Sequence, residues 1–410
     1  MLPQVANKSL DRPGERSSPL CWHIITSEYP PQAGGVSDYT RGIAMGLAAQ
    51  GDDIHVWCPG SGGLRREAGG LFVHQELGSF GPGDLRHAGR QLDRFPVPRR
   101  IFLQWVPHGY GWRSMNLAFC WWLWNRAAHH GDQLEIMVHE PWLPFRARSW
   151  RQSGAALVHR LMIVLLLRRA ERVWVATPEW EKRWRPYALR RPIPFRWLPV
   201  PSNIPVTANV AECMNLRRRF ADDQTFLIGH FGTYGWPITS LLQPIVEALA
   251  CRSAGEAILL MGPGSKQFRE RLLAREPGFA GRIHATDALT PHDLSTHLNV
   301  CDLLIQPYPD GVTTRRGSFM AGLAHGRPIV TTTGSLTEPM WTTTGALVLV
   351  PAGEVQPFVD AVQSLRANPR QRNEVAQSAR RLYVERFEIS HTVTALRAAA
   401  VTSGHSACAY

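Results

Sequence analysis

The sequence is short of lysine, of closely spaced cysteines and of long apolar runs. Only Lys8, Lys182 and Lys266 are lysines among 45 basic residues, a bias expected of GC-rich coding that carries no functional argument. The seven cysteines (Cys21, Cys58, Cys120, Cys213, Cys251, Cys301 and Cys408) are odd in number, scattered and never spaced C-x-x-C. This argues against a disulfide framework or a zinc site and for a reducing compartment. The longest strongly apolar run, Leu161–Leu167, lies between Arg160 and Arg168, far short of the roughly 20 residues that span a bilayer. Residues 1–20 contain no apolar core of the signal-peptide kind and read as a flexible leader. The expectation is a cytoplasmic protein, soluble or peripheral at the inner membrane face.

The remaining composition is that of a globular chain, 44% hydrophobic and 19% charged, which excludes wholesale disorder. At 410 residues it is long enough for two domains. The net charge of +12 is unevenly spread. Residues 1–205 hold 26 Lys+Arg against 16 Asp+Glu, and residues 206–410 hold 19 against 17. The first half also carries 13 of the 15 tryptophans, so the two halves are expected to meet different partners. The basic residues are dispersed and accompany no recognition motif, so nucleic acid is not an expected partner. Arg146, Arg148, Arg151 and Arg160 surround Trp142 and Trp150, which suits either an anionic membrane surface or a solvated basic face.

Short β-branched and aromatic runs alternate with helical stretches along the chain. Strands are expected at 21–26, 53–58, 72–77, 101–106, 135–139 and 172–177, with helices near 37–49, 114–128, 153–170 and 179–187. A second series has strands at 226–232, 257–262, 282–286, 302–308, 328–333 and 346–351. Its helices fit at 239–251, 265–276, 291–299, 315–325 and 354–367, and residues 370–400 read as helix throughout. Such alternation specifies parallel sheets covered on both faces. The Pro-rich segment 199–210 reads as a linker. The fold class is therefore α/β, with two Rossmann-like, doubly wound domains facing each other across a cleft.

Open α/β sheets bind ligands beyond the carboxyl ends of their strands. After the first strand, Gly34 and Gly35 permit close backbone approach, and Ser37 with Asp38 suits capping of the next helix. In MVHEPW (137–142), His139 and Glu140 end a strand, either as acid–base or orienting groups or as a structural pair. The tract from Gln104 to Trp124, with Trp105 and His108, suits a stacking surface for a sugar or lipid. For Trp121 to Trp124 a core role is the simpler expectation. In the second series, Gly232-Thr233 and Gly262 follow strands where glycine permits phosphate approach. The sharpest segment is QPYPDGVTTRRGSFMAGLAHGRPIVTT (306–332). There Asp310, Arg315 and Arg316 precede a helix whose first turn holds Gly317 and Ser318. Backbone N–H groups, helix dipole and guanidinium groups together make a diphosphate cradle.

The blocks 34–60, 137–142 and 306–332, in this order and spacing, resemble a GT-B glycosyltransferase, closest to glycosyltransferase family 4. The resemblance runs from about Cys21 to Phe387. It implies transfer of a sugar from a nucleotide-sugar donor to a hydroxyl acceptor, with retention of configuration, as in polysaccharide, glycolipid or natural-product assembly. An acceptor domain over 21–205 and a donor domain over 206–384 are implied. A final segment, 385–410, would bring a helix back onto the first domain. Gly34 and Gly35 resemble the family's glycine loop, and His139 its active-site histidine. No cofactor and no catalytic metal is implied, and the sequence has no Asp-x-Asp pair. Asp38, Trp105 and His108 are then acceptor-side candidates; the acceptor is any hydroxyl compound, lipid-linked ones included.

Two departures stand out. The family's donor-holding glutamates fall here at Thr313 and Ala321, and the segment FGTYGWPITS lacks its usual Arg and Lys. Arg315 and Arg316 are candidates to replace that charge, and Asp310 to replace a sugar contact. The alternative is a non-catalytic GT-B relative that binds a sugar or a protein partner.

Overall fold

The computed structural model describes residues 19–406, apart from residues 61, 112, 113, 147, 148, 208, 253 and 254. Most of the leader, Cys408 and Arg148 therefore lie outside the described residues.

The first sheet is built from β1 (Cys21–Ile25), β2 (Asp53–Trp57), β3 (Gly63–Arg66), β4 (Phe72–Gln75), β5 (Arg99–Trp105), β6 (Asp132–Val138), β7 (Ala170–Val175) and β8 (Phe195–Trp197). Its order is β3-β4-β2-β1-β5-β6-β7-β8, and every pair is parallel except β3 against β4. The second sheet comprises β9 (Phe226–Phe231), β10 (Glu256–Met261), β11 (Ile283–Ala285), β12 (Leu303–Gln306), β13 (Ile329–Thr333) and β14 (Val348–Pro351). It is wholly parallel, in the order β11-β10-β9-β12-β13-β14. These are the two doubly wound units expected from the alternation.

Two strands and two helices were not foreseen. β3 reads Gly-Leu-Arg-Arg and is an exposed edge strand, while β8 has only three residues. Helix 82–92 contains two glycines, Gly83 and Gly89, so its propensity is poor, although Pro82 suits its first turn. Helix 210–217 has no fully buried residue, and only Cys213 and Leu216 pack half-buried on the core, so its apolar signal is short. The stretch read as helical over 370–400 comprises two helices, 369–386 and 389–406. Trp121, expected in the core, stands 55% exposed.

Central strands explain why the first lobe is so regular. Every residue of β5 is buried, including Arg99 and Arg100 at its amino end. A buried guanidinium needs a partner, and neighbouring β6 supplies one to each. Asp132 accepts from Arg99 at 2.5 Å, and Glu135 accepts from Arg100 at 2.8 Å. Glu135 is itself fully buried and also takes Arg172 at 3.2 Å and Trp174 Nε1 at 2.7 Å.

This carboxylate fastens the chain's return. Arg100 and Arg172 reach past Glu135 to the carbonyls of Ala400 and Ala399 in helix 389–406, at 3.1 and 3.3 Å. The helix lies against helix 35–48, where Gly46 makes room: a Cβ there would come within 2.7 Å of Val393 Cγ2. Arg397 completes the attachment with Asp52 at 3.3 Å. The final helix thus crosses back to the first lobe, as the resemblance implied.

Removing one side of a buried ion pair strands the other charge and costs about 3–5 kcal/mol. Glu135→Ala is expected to lower unfolding stability by about that amount and to render helix 389–406 protease-sensitive. Urea denaturation and limited proteolysis check both effects.

Candidate active site

The carboxyl ends of the two sheets face one another across a cleft of about 680 Å³. The first lobe contributes Glu28, Gly34, Gly35, Asp38, Tyr39, His139 and Glu140. The second contributes His230, Gly232, Thr233, Gly262, Tyr308, Arg315, Arg316, Gly317 and Ser318. Residues 200–204 of the connecting chain, with Pro201, Asn203 and Ile204, form part of the wall.

A hydrogen-bonded junction sets how the lobes face. Thr314, next to the arginine pair, donates through Oγ1 to the Ala176 carbonyl at 2.7 Å and accepts from Trp197 Nε1 at 3.1 Å. Its own carbonyl accepts from Val200 N–H at 3.0 Å. Behind it sits the buried carboxyl of Glu338, 2.7 Å from Thr314 Oγ1, which also accepts from the Thr314 N–H and, at 2.6 Å, from Trp341 Nε1. Thr314 has one hydroxyl proton and two close oxygens to satisfy. A protonated Glu338 resolves this, donating to Thr314 Oγ1 while Thr314 donates to Ala176. Burial pushes the Glu338 carboxyl up from its ordinary value, in keeping with that arrangement.

Arg315 and Arg316 enter the cleft from this junction. Each Nε is buried without a hydrogen-bond partner among the described residues. The nearest carboxylates stand off: Arg315 lies 3.8 Å from Glu140 and 3.7 Å from Asp310, and Arg316 lies 3.9 Å from Asp310. Their planes rest on Trp180 and Tyr308, 5.4 and 4.7 Å from the ring centroids. Burial, then the neighbouring Arg316, pulls the Arg315 guanidinium down to about 10, which leaves it charged at neutral pH.

The arginines lead into helix 317–324, whose first turn holds Gly317 and Ser318. Ser318 Oγ lies 3.1 Å from Tyr308 Oη, which donates to Gln306 Oε1 at 3.1 Å. His230 Nδ1 donates to the Ile305 carbonyl at 2.8 Å, leaving Nε2 buried and unpartnered among the described residues. A Cβ on Gly232 would sit 3.6 Å from that nitrogen and 3.7 Å from Ser318 Oγ, so the missing side chain opens a niche between them. Burial lowers His230 to about 4, making it a neutral acceptor.

Across the cleft, His139 pairs through Nε2 with Gln104 Oε1 at 3.0 Å and meets the Tyr39 ring edge-on at 4.7 Å. Burial drives its imidazole down to about 3. It carries no charge near neutral pH. Glu140 is half-exposed and faces Arg315 on one side and His108 Nε2, 3.9 Å away, on the other.

Several sequence expectations need correcting. Trp105 offers no face to a ligand; it is fully buried between Tyr110 and Trp184 and donates to the Pro141 carbonyl. His108 is exposed but borders the cleft only through Glu140, and Asp310 only through the arginines. Thr313 is fully buried, outside the cavity wall, and Ala321 is core. Neither Ser37 nor Asp38 caps helix 35–48. Glu28 does so, accepting from the Val36 and Ser37 N–H groups at 3.0 Å each. Its carboxylate occupies the place of a Gly34 Cβ, which would lie 2.3 Å from Oε1. Gly34 is glycine for that carboxylate, whereas Gly35 faces open space. Gly262, at φ +110°, is glycine because a Cβ would strike the Gly232 carbonyl at 2.3 Å. Asp38 does reach the cleft and accepts from Asn203 Nδ2 at 2.7 Å.

Glu28, Tyr39, His230, Tyr308 and Glu338 were not anticipated. His230 had a visible signal, a histidine inside an otherwise apolar strand; Glu28 and Glu338 had none, because contact across loops selects them.

Residues 226–368 match the family model described as glycosyl transferases group 1. No curated protein matches the chain. Among solved structures, it is similar to a sucrose-phosphate synthase from Thermosynechococcus elongatus, at 15% identity and TM-score 0.74, over 94% of this chain and 100% of that one. It is similar to HepE of Anabaena in complex with UDP-glucose, at 14% identity and TM-score 0.66, covering 93% and 100%. WaaG, a glycosyltransferase of lipopolysaccharide biosynthesis, aligns at 13% identity and TM-score 0.64, covering 91% and 98%. The fold is GT-B.

Because the Glu338 carboxyl is raised in the folded state, its stabilisation is complete below the ordinary value of 4.5 and fades as pH climbs through the higher folded value. Stability curves of wild type and Glu338→Gln are expected to converge or cross as pH rises through that interval. Denaturation at several pH values provides the check.

Proposed function

We propose that this protein is a retaining glycosyltransferase that takes a sugar from a nucleoside diphosphate donor and passes it to a hydroxyl acceptor. The carrying observation is the adjacent, half-buried guanidinium groups of Arg315 and Arg316, their Nε atoms buried and unpartnered among the described residues, held 3.7–3.9 Å from their carboxylates at the mouth of a short helix. That set suits a dianion. The group 1 match over the second lobe and neighbours solved with UDP-glucose support a nucleotide-sugar as its source.

In this reading the diphosphate lies along Arg315, Arg316 and the first turn at Gly317–Ser318, over Gly232. The acceptor enters from the side of Asp38, His139 and Glu140. Its hydroxyl attacks the anomeric carbon as the bond to the diphosphate breaks, and the departing phosphate oxygen takes the hydroxyl proton. The guanidinium groups stabilise the growing charge on the leaving group, so transfer is expected to need neither a metal ion nor a cofactor. His139, neutral and fixed by Gln104, orients a sugar hydroxyl.

Truncating a buried charged contact costs about 2–5 kcal/mol. An Arg315→Ala, Arg316→Ala double variant is therefore expected to bind nucleoside diphosphates at least ~30-fold more weakly by calorimetry. Unchanged affinity would sink the assignment. The burial of Thr313 and Ala321 favours a second reading, a binding protein without turnover. Wild type that binds a nucleotide sugar tightly yet neither transfers nor slowly hydrolyses it would establish that reading.

We also propose that the first lobe docks on anionic membrane. Among the described residues no helix is long and apolar enough to cross one. Trp150 is 80% exposed and Phe145 56%, with Leu157 and Leu161 exposed on the same helix. Arg151 lies over Trp150, and Arg160 over Phe145 and Trp142. Such an aromatic–arginine face matches an interfacial segment. Sedimentation with phosphatidylglycerol vesicles is expected to show binding that salt weakens and that Phe145→Ala with Trp150→Ala removes; no binding at low salt overturns it.

A further inference from the structure

The cleft lies at the carboxyl ends of the strands; a second cluster of reactive side chains lies at their amino ends. The register of β1 on β2 pairs Cys21 with Asp53 and His23 with His55. Side chains two apart on a strand share a face, so these four form a two-by-two patch on adjacent strands. Cys21 Sγ stands 3.9 Å from Asp53 Oδ2, and His55 Nε2 stands 3.2 Å from the same oxygen. The three ligand atoms all lie within 4.8 Å of one another. Ligands on one tetrahedral zinc ion, bound at about 2.0–2.3 Å, sit roughly 3.3–3.7 Å apart, so the trio needs only slight contraction.

The surroundings set the protons. Trp57 Nε1 donates to His23 Nδ1 at 3.3 Å, which leaves the His23 proton on Nε2. That Nε2 faces Cys21 Sγ at 3.8 Å, so His23 serves the sulfur as an N–H donor rather than joining the ligands. His55 Nδ1 lies 2.9 Å from His74 Nε2, and His74 Nδ1 lies 4.0 Å from Glu76. When His55 holds its proton on Nδ1 toward His74, its Nε2 lone pair is free beside Asp53. A metal-bound imidazole typically has such an acceptor behind it. The His55 ring is buried and stacked on Phe72, 5.0 Å between centroids, so its orientation is fixed. Cys21 and Asp53 remain open to solvent, and an ion has direct access.

We propose that Cys21, Asp53 and His55 bind a zinc-class dication, with water in the fourth position. A thiolate and an imidazole favour such an ion over Mg2+ or Ca2+. Binding releases the Cys21 thiol proton to solvent. The Cys21 thiolate and the Asp53 carboxylate then neutralise the dication, and no net charge is left at the site. The ligands arrive from strands whose residues are 32 apart in sequence, which is why C-x-x-C spacing gave no sign of them. The ion ties the first residue of β1 to β2 on the side of the sheet away from the cleft, a structural clasp outside the transfer chemistry.

The test uses untagged full-length protein, stripped with chelator and titrated with Zn2+ against a chromophoric competitor, then with Co2+. One equivalent is expected, with a near-ultraviolet thiolate-to-Co2+ band and tetrahedral visible bands. Cys21→Ser is expected to abolish the near-ultraviolet band and to weaken Zn2+ by ~100-fold or more; His74→Leu, behind the ligand, by about 10–100-fold. Cys251→Ser, at an exposed cysteine elsewhere, leaves both unchanged. A cobalt spectrum without the thiolate band, or a Zn2+ affinity indifferent to Cys21→Ser, overturns the site.

Discussion

Everything at the cleft depends on one crowded hydroxyl. Thr314 Oγ1 is shared among the Ala176 carbonyl of one lobe, Trp197 at the lobe boundary and the Glu338 carboxyl of the other. Apolar contacts cross between the lobes, with Leu336 in the first lobe's core and Trp197 against the second's. The polar junction lies among them, and it belongs to the same loop that delivers Arg315 and Arg316. The position of the positive charge and the facing of the lobes are therefore one structural fact.

The same loop explains how the site is organised without the paired glutamates of the resembling family. Ala321 sits in the core with Phe319, Met320 and Leu323. A carboxylate there would enter an apolar interior at a cost of several kcal/mol. Thr313 is likewise turned inward. What faces the cleft from the second lobe is cationic and aromatic, with neutral histidines on both walls and the carboxylates of Glu28, Asp38 and Glu140 on the first. Burial keeps those imidazoles uncharged, so the arginines carry the positive charge there.

The architecture was legible in the sequence because its signal is repetitive. Buried parallel strands such as IFLQWV and AILLMG must be continuous apolar runs, and they fixed both sheets. The missed elements lack that signal: β3 is charged, helix 82–92 is glycine-bearing, and helix 210–217 buries no residue fully. The site was legible where chemistry follows strand ends, as at His139, Arg315 and Ser318, all of which reach the cleft. It was misread where residue type stands for two roles. Trp105 is a core ring, and Gly34 and Gly262 are glycines because of Glu28 and the Gly232 carbonyl. The Cys21 patch left no mark on linear spacing for a related reason: strand register brings those side chains together.

Glu28 carries one more consequence. Its carboxylate already satisfies the amides at the tip of helix 35–48, so that dipole is internally quenched before any substrate arrives. The first lobe then meets the incoming molecule with the carboxylates of Asp38 and Glu140 rather than with a bare helix tip. Attraction for a negatively charged group falls to the opposite wall, and the polarity of the cleft runs in one direction.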